Sequence, residues 1–176
     1  DAESFRRDFV EAHKPLIVRG ALRDWDAMNW TDEYLEGAVG EQKVKVDIFP
    51  YSEQGRVLIP QAQRVEMMFR DFLGCYQNEA ANHYVADINL FPRLHMDLGQ
   101  HPVFEVFPIH RRKTFFMGNG KQESALHYDD NENIMCMASG EKEFLLYDTS
   151  DFVYMYAQDE EKDFGVEHLR RDGISL

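Results

Sequence analysis

An α+β fold with a mainly β core is what this sequence predicts, and three patterns carry the prediction. Val44, Val46 and Ile48 alternate with Lys45 and Asp47, the period of a half-buried strand. Phe115-Phe116-Met117 runs into a Gly118-Asn119-Gly120 turn, and two further apolar runs between Ile134 and Tyr147 flank Gly140. Residues 115–147 therefore read as an antiparallel meander. Ala2 to His13 and the stretch from Thr31 to Gly40 instead read as helices, with an extended strand and a glycine turn between Lys14 and Trp25, so helices precede the sheet.

Taken in order, Ala2 to His13 places Phe5, Phe9 and Val10 on one helical face, with Ser4 as its candidate cap. Lys14-Pro15 ends it, because the residue before proline is biased away from helical angles. Thr31-Asp32-Glu33 opens a second helix that Gly37 and Gly40 close. Glu41 to Phe49 is the alternating strand. Val65 to Cys75, with Met68, Phe69, Phe72 and Leu73, reads as an amphipathic helix in which Met67 and Met68 fill core. His83 to Asn89 returns to strand, and Phe91 to Leu98 begins a short helix with Pro92 near its first position. His95 and Asp97 are two residues apart, but on a helix such side chains diverge by about 200° and cannot share an ion.

Composition sets outer bounds. A chain of 176 residues, 44% apolar and 13% aromatic, suits one domain spanning 1–176. Its net charge of −13, from 32 acids against 19 bases, argues against direct nucleic-acid binding and for a partner with a basic segment. The run Asp159-Glu160-Glu161 reads as solvated loop, and His101, His110 and Arg111-Arg112-Lys113 as a positive connector. No apolar run approaches the roughly 18 to 20 residues that cross a bilayer, so no membrane partner is expected. Cys75 and Cys136 fit neither a disulfide framework nor a zinc spacing; they read as small buried hydrophobes in a reducing compartment, cytoplasmic or nuclear.

The strongest chemical signal is His127-Tyr128-Asp129. On a strand, positions two apart share a face, so an imidazole nitrogen and a carboxylate oxygen would converge. They supply two of the three ligands of the facial triad that holds non-haem Fe(II) with positions left open. An isolated H-x-D pair is more often solvated. Strands on both sides favour the metal, because they make a rigid mount.

Phe115 to Tyr147 resembles the JmjC family of Fe(II)- and 2-oxoglutarate-dependent oxygenases, and within it the cupin-like small hydroxylases that act on protein side chains. Lys14-Pro15-Leu16-Ile17-Val18-Arg19-Gly20-Ala21-Leu22-Arg23-Asp24-Trp25 is similar to the entry segment of these hydroxylases, and His83-Tyr84-Val85-Ala86-Asp87 is a third match. The resemblance implies a double-stranded β-helix, the jelly roll of cupins, with N-terminal helices packed on it. It implies His127 and Asp129 as iron ligands and Lys142 as partner of the distal carboxylate of 2-oxoglutarate. Ser124 and Tyr84 would add hydroxyls to that carboxylate, and Asn133 a side-chain amide to the cosubstrate. A buried dicarboxylate does require a fixed cation and donors. A lysine after a hairpin glycine is otherwise a common edge-strand charge.

A distal histidine matching the family pattern is not found; beyond Asp129 the chain has only His168, in a charged stretch that reads as surface. The chain starts at Asp1 and stops at Gly173-Ile174-Ser175-Leu176, and the expectation is a C-terminally incomplete domain. Alone it would be inactive, with a homodimer as one way to supply absent strands. Two rival readings stay open. One is a metal-dependent cupin of another class, with no use for Lys142 and Ser124. The other is a non-catalytic interaction module without a third ligand.

Overall fold

The computed structural model describes residues 1–49, 63–78, 82–101, 104, 112–124, 126–127, 129 and 131–155. Helix α1 (Ala2–Phe5) widens into a π-helical turn over Arg6–Val10. Its cap is Asp1 rather than Ser4: Asp1 Oδ1 accepts the Ser4 backbone N–H at 2.9 Å, which satisfies one orphan donor of the first turn. Phe5 and Phe9 stack with centroids 6.1 Å apart, as their spacing predicts. Lys14 to Val18 joins no strand, and Ile17 is 78% exposed.

Helix α2 (Asp32–Val39) starts where the sequence places it, with Thr31 Oγ1 accepting the Tyr34 N–H at 3.2 Å. Gly40 is its C-cap, donating to the Glu36 carbonyl at 2.8 Å, while Gly37 lies inside the helix rather than closing it. Strands β1 (Lys43–Phe49), β2 (Gln63–Met68), β3 (Asn82–Asn89) and β4 (Thr114–Gly118) form an antiparallel sheet of order β2-β1-β3-β4.

The helix expected over Val65 to Cys75 is corrected to a strand followed by a short helix. Val65 and Met67 sit opposite Val46 and Val44, between the exposed Arg64 and Glu66. Pairing with β1 commits their backbone groups to a ladder, so helix α3 (Phe69–Leu73) begins only after Met68, extended at φ −70° and ψ 145°. The alternation at 64–67 is period 2, but two methionines and the aromatic run beyond it mimic a helical stripe.

Register divides the sheet into two faces, because cross-strand partners share a side. Val44, Val46, Val65, Met67, Val85, Phe115 and Met117 share the first with the helices, in a core that includes Leu35, Val39, Phe69, Phe72 and Leu94. Phe69 is its hub, with ring centroids 5.1 Å from Phe91, 5.7 Å from Phe72 and 6.1 Å from Phe115. A 3₁₀ turn, Pro92–Asp97, closes this layer where a short helix is expected. Its Asp97, only 7% exposed, accepts from the Trp30 indole at 2.8 Å and the Tyr34 phenol at 2.7 Å. His95 turns away to the Leu90 carbonyl at 3.3 Å, so the two side chains diverge as expected.

The second face carries Asp47, Phe49, Arg64, Tyr84, Phe116 and Gly118. Asp47, 4% exposed, takes both forks of the Arg64 guanidinium, Nε at 2.6 Å and Nη2 at 2.9 Å. Between Val85 and Ile88 β3 bulges, with Asp87 at φ 51°, a left-handed conformation that aspartate tolerates better than most residues. Arg112, expected in a mere connector, clamps the bulge through the Asp87 carbonyl at 2.8 Å and Asn89 Oδ1 at 3.1 Å; His110 and Arg111 lie outside the described residues.

Of the meander expected over 115–147, β4 forms, and no further strand forms among the described residues. The described residues from 126 to 148 join no strand, and Phe144, Leu145, Leu146 and Tyr147 are between 53% and 71% exposed. An apolar run is half of a strand; the other half is a partner, and no described strand pairs with this segment. Both cysteines are half-buried rather than buried, and burial pushes both thiols up in pKa. No helix among the described residues is long and apolar enough to cross a membrane.

Candidate functional site

The second face of the sheet builds the site from β3 outward. Tyr84 stands opposite Gly118, and a Cβ on Gly118 would lie 2.8 Å from Tyr84 Cδ2 and 2.6 Å from Gln122 Oε1. The missing side chain is therefore what lets the Tyr84 ring cross β4. That ring lies 6.5 Å from Phe49 and 6.4 Å from Phe116, centroid to centroid, in an aromatic row along the face. Burial raises the Tyr84 phenol pKa, and the Asp47 charge adds to the shift.

Lys142 extends the row. Its Nζ sits 5.2 Å from the Phe116 centroid and 5.2 Å from that of Phe144, both inside cation–π range. Burial lowers its pKa, against an opposing pull from the Asp129 carboxylate. Tyr84 thus approaches Lys142 through the Phe116 ring, where a direct phenol–ammonium contact was expected.

His127 and Asp129 come together although no strand carries them: Nε2 and Oδ1 face each other at 3.9 Å, both side chains about half-exposed. Ligand bonds of about 2.1 Å at the right angle of a facial triad put two donor atoms about 3 Å apart, so the pair would close by about 1 Å to share one divalent cation. Asn133 donates from Nδ2 to Asp129 Oδ2 at 2.5 Å, leaving Oδ1 turned to the imidazole. The Asn133 amide expected at the cosubstrate thus orients a metal-ligand candidate. Ser124 lies exposed after the Asn119 turn, and none of the contacts described here brings it to Lys142.

Among the described residues no group of three His, Cys, Asp or Glu side chains converges; His168 lies outside them. Sequence reasoning missed Phe116 and Phe144. A signal existed for the first: adjacent Phe115 and Phe116 on a strand must face opposite sides, so only one can enter the core.

Residues 2–172 match a family described as a cupin-like domain. The chain belongs to that family. This cupin-like chain is 30% identical over 164 residues to human "Bifunctional peptidase and (3S)-lysyl hydroxylase JMJD7", covering 84% of the chain and 51% of that protein. It is 27% identical over 191 residues to "JmjC domain-containing protein E" of Dictyostelium discoideum, covering 88% of the chain and 52% of the relative. To "Lysine-specific demethylase 8" of Danio rerio it is 26% identical over 174 residues, with 88% and 40% covered. JmjC-domain relatives are what the sequence resemblance implies. The cupin-like chain spans about half the length, or less, of these relatives.

Proposed function

We propose that the protein is an Fe(II)- and 2-oxoglutarate-dependent oxygenase that hydroxylates a protein side chain, built as a single domain on a double-stranded β-helix. The observation that carries this reading is the His127 and Asp129 pair, Nε2 and Oδ1 3.9 Å apart, with the exposed Lys142 ammonium 5.2 Å from the Phe116 centroid and within the field of Asp129. A metal pair with a fixed cation beside it suits a cosubstrate that chelates with one end and carries a carboxylate at the other. The relatives named as a lysyl hydroxylase and a lysine-specific demethylase support a protein substrate. The net charge of −13 suits one with a basic segment.

Fe(II), when bound, would supply the dioxygen chemistry. The residues supply placement. His127 Nε2 and Asp129 Oδ1 would hold the metal, and Asn133 fixes which carboxylate oxygen faces it. Lys142 would take the distal carboxylate of 2-oxoglutarate; Ser124 and Tyr84 would serve as its hydroxyl donors only after moving toward the ammonium, from which Tyr84 is separated by the Phe116 ring. Phe116 and Phe144 displace water from the ammonium and so strengthen its pull on an anion.

The test titrates Mn(II), a redox-inert substitute, and then 2-oxoglutarate into wild type, Asp129→Ala and Lys142→Ala. Asp129→Ala is expected to lose most of the Mn(II) affinity. Lys142→Ala is expected to keep Mn(II) and to weaken 2-oxoglutarate by about 1.5–3 kcal/mol, the worth of a charge-assisted hydrogen bond. Unchanged 2-oxoglutarate binding in Lys142→Ala would favour a cupin of another class, and absence of metal binding in the wild type a non-catalytic module.

A further inference from the structure

A lysine ammonium on four rotatable bonds ordinarily sweeps a wide volume of solvent, and ordering it costs up to about 2 kcal/mol of rotamer entropy. Lys142 is instead bracketed. One ring, Phe116, is mounted on β4, whose register is set by Tyr84 opposite Gly118, and it is backed by the Tyr84 ring 6.4 Å away. The other, Phe144, follows Lys142 by two positions and closes from the chain's own side. Both centroids lie 5.2 Å from Nζ, so the exposed ammonium contacts one ring fixed to the sheet and one carried by its own segment. Phe116 and Phe144 are 38% and 53% exposed, an arrangement that would waste apolar area unless the lysine stem covered part of it.

We infer that Phe116 and Phe144 are positioning residues that clamp the Lys142 ammonium between two aromatic faces and so preset it for the distal carboxylate of 2-oxoglutarate. The inference rests on the reading of Lys142 given above. The two π-faces accept N–H directions that would otherwise go to water, and the remaining direction stays open for a carboxylate. Asp129 pulls on the same ammonium.

The experiment measures 2-oxoglutarate affinity of the Mn(II)-loaded full chain by calorimetry in wild type, Phe116→Leu, Phe144→Leu, Phe116→Trp and Lys142→Ala. Leucine keeps apolar volume and removes the π-face. Each leucine variant is expected to raise Kd about two- to fivefold, the effect of one partly exposed cation–π contact, while Phe116→Trp retains affinity. A second readout needs neither metal nor cosubstrate. After reductive ¹³C-methylation of lysines, the Lys142 dimethylammonium signal, assigned by its loss in Lys142→Arg, should be shifted upfield by both rings. It should move toward the bulk lysine position in each leucine variant. Affinity unchanged in both leucine variants while Lys142→Ala binds weakly overturns the clamp and leaves the cosubstrate reading standing. Wild-type affinity in Lys142→Ala sinks that reading and the role of the clamp with it. A wild-type Lys142 signal at the bulk position overturns the clamp even where a variant fails to fold.

Discussion

Replacing Asp97 tests the polar contacts that tie the Pro92–Asp97 turn to α2 and to Trp30 before it. Its Oδ2 accepts from the Trp30 indole at 2.8 Å and the Tyr34 phenol at 2.7 Å, and Arg93 Nη1 reaches Oδ1 at 3.5 Å. Hydrogen bonds to a charged group are worth about 1.5–3 kcal/mol each, but two bonds sharing one oxygen do not add. Tyr34 is 37% exposed and can turn its hydroxyl to water in Asp97→Ala, whereas the half-buried Trp30 N–H loses its acceptor. The expected cost of Asp97→Ala is therefore about 2–3 kcal/mol, and of Asp97→Asn, which keeps an acceptor oxygen without the charge, about 1 kcal/mol. Urea unfolding followed by tryptophan fluorescence measures both. Burial alone would raise the Asp97 pKa, but the Tyr34 and Trp30 hydrogen bonds and the Arg93 charge outweigh it and hold the carboxyl below its usual value. A carboxyl depressed in the folded state stabilises above the unfolded pKa of about 3.9, and that contribution disappears as pH falls through the lower folded value. The gap between wild type and Asp97→Asn should accordingly narrow on acidification below about pH 4. A cost under about 0.5 kcal/mol for Asp97→Ala, the range of an ordinary surface change, would refute the reasoning.

Gly118→Ala should displace the Tyr84 ring and destabilise by about 1–3 kcal/mol through overpacking, read as a lower unfolding midpoint with altered tyrosine near-UV signal. Thr31→Ala removes the α2 cap and should cost about 1 kcal/mol in the same unfolding assay, with Thr31→Asn close to wild type. Arg112→Ala should loosen the β3 bulge, at a global cost of about 0.5–1 kcal/mol because the clamp is exposed, and hydrogen exchange should quicken at Asp87 to Asn89.

The elements legible in the sequence are those whose signal is local. Thr31 and Gly40 bound α2 because capping is decided within one turn, and Val44, Val46 and Ile48 reveal β1 because one buried face is enough to impose alternation. Residues 65–75 were misread because Val65 and Met67 belong to a ladder with Val46 and Val44, a partnership about 20 residues away that no local period encodes. The same limit applies to the described residues of 126–148, where apolar runs that pair with no described strand form none themselves. At the site, the spacing argument for His127 and Asp129 required a strand, and the two approach each other with neither in one. The aromatic bracket around Lys142 did not, because Phe116 and Lys142 meet through the fold. The Asn133 amide on Asp129 was hidden for a different reason: an amide at that position can turn to a ligand or to a neighbour, and only geometry decides.

On β4, Phe115 and Phe116 hold adjacent positions and opposite obligations: one anchors the core against Phe69 and Phe91, the other is the shelf under Lys142. A strand has no slack between neighbouring residues, so slipping β4 by one position would exchange anchor and shelf at a stroke. The strand therefore acts as a party wall between the helical layer and the site. A change on the helical side that shifts Phe115, which packs on Phe69 and Phe91, would shift its neighbour Phe116 under Lys142 as well.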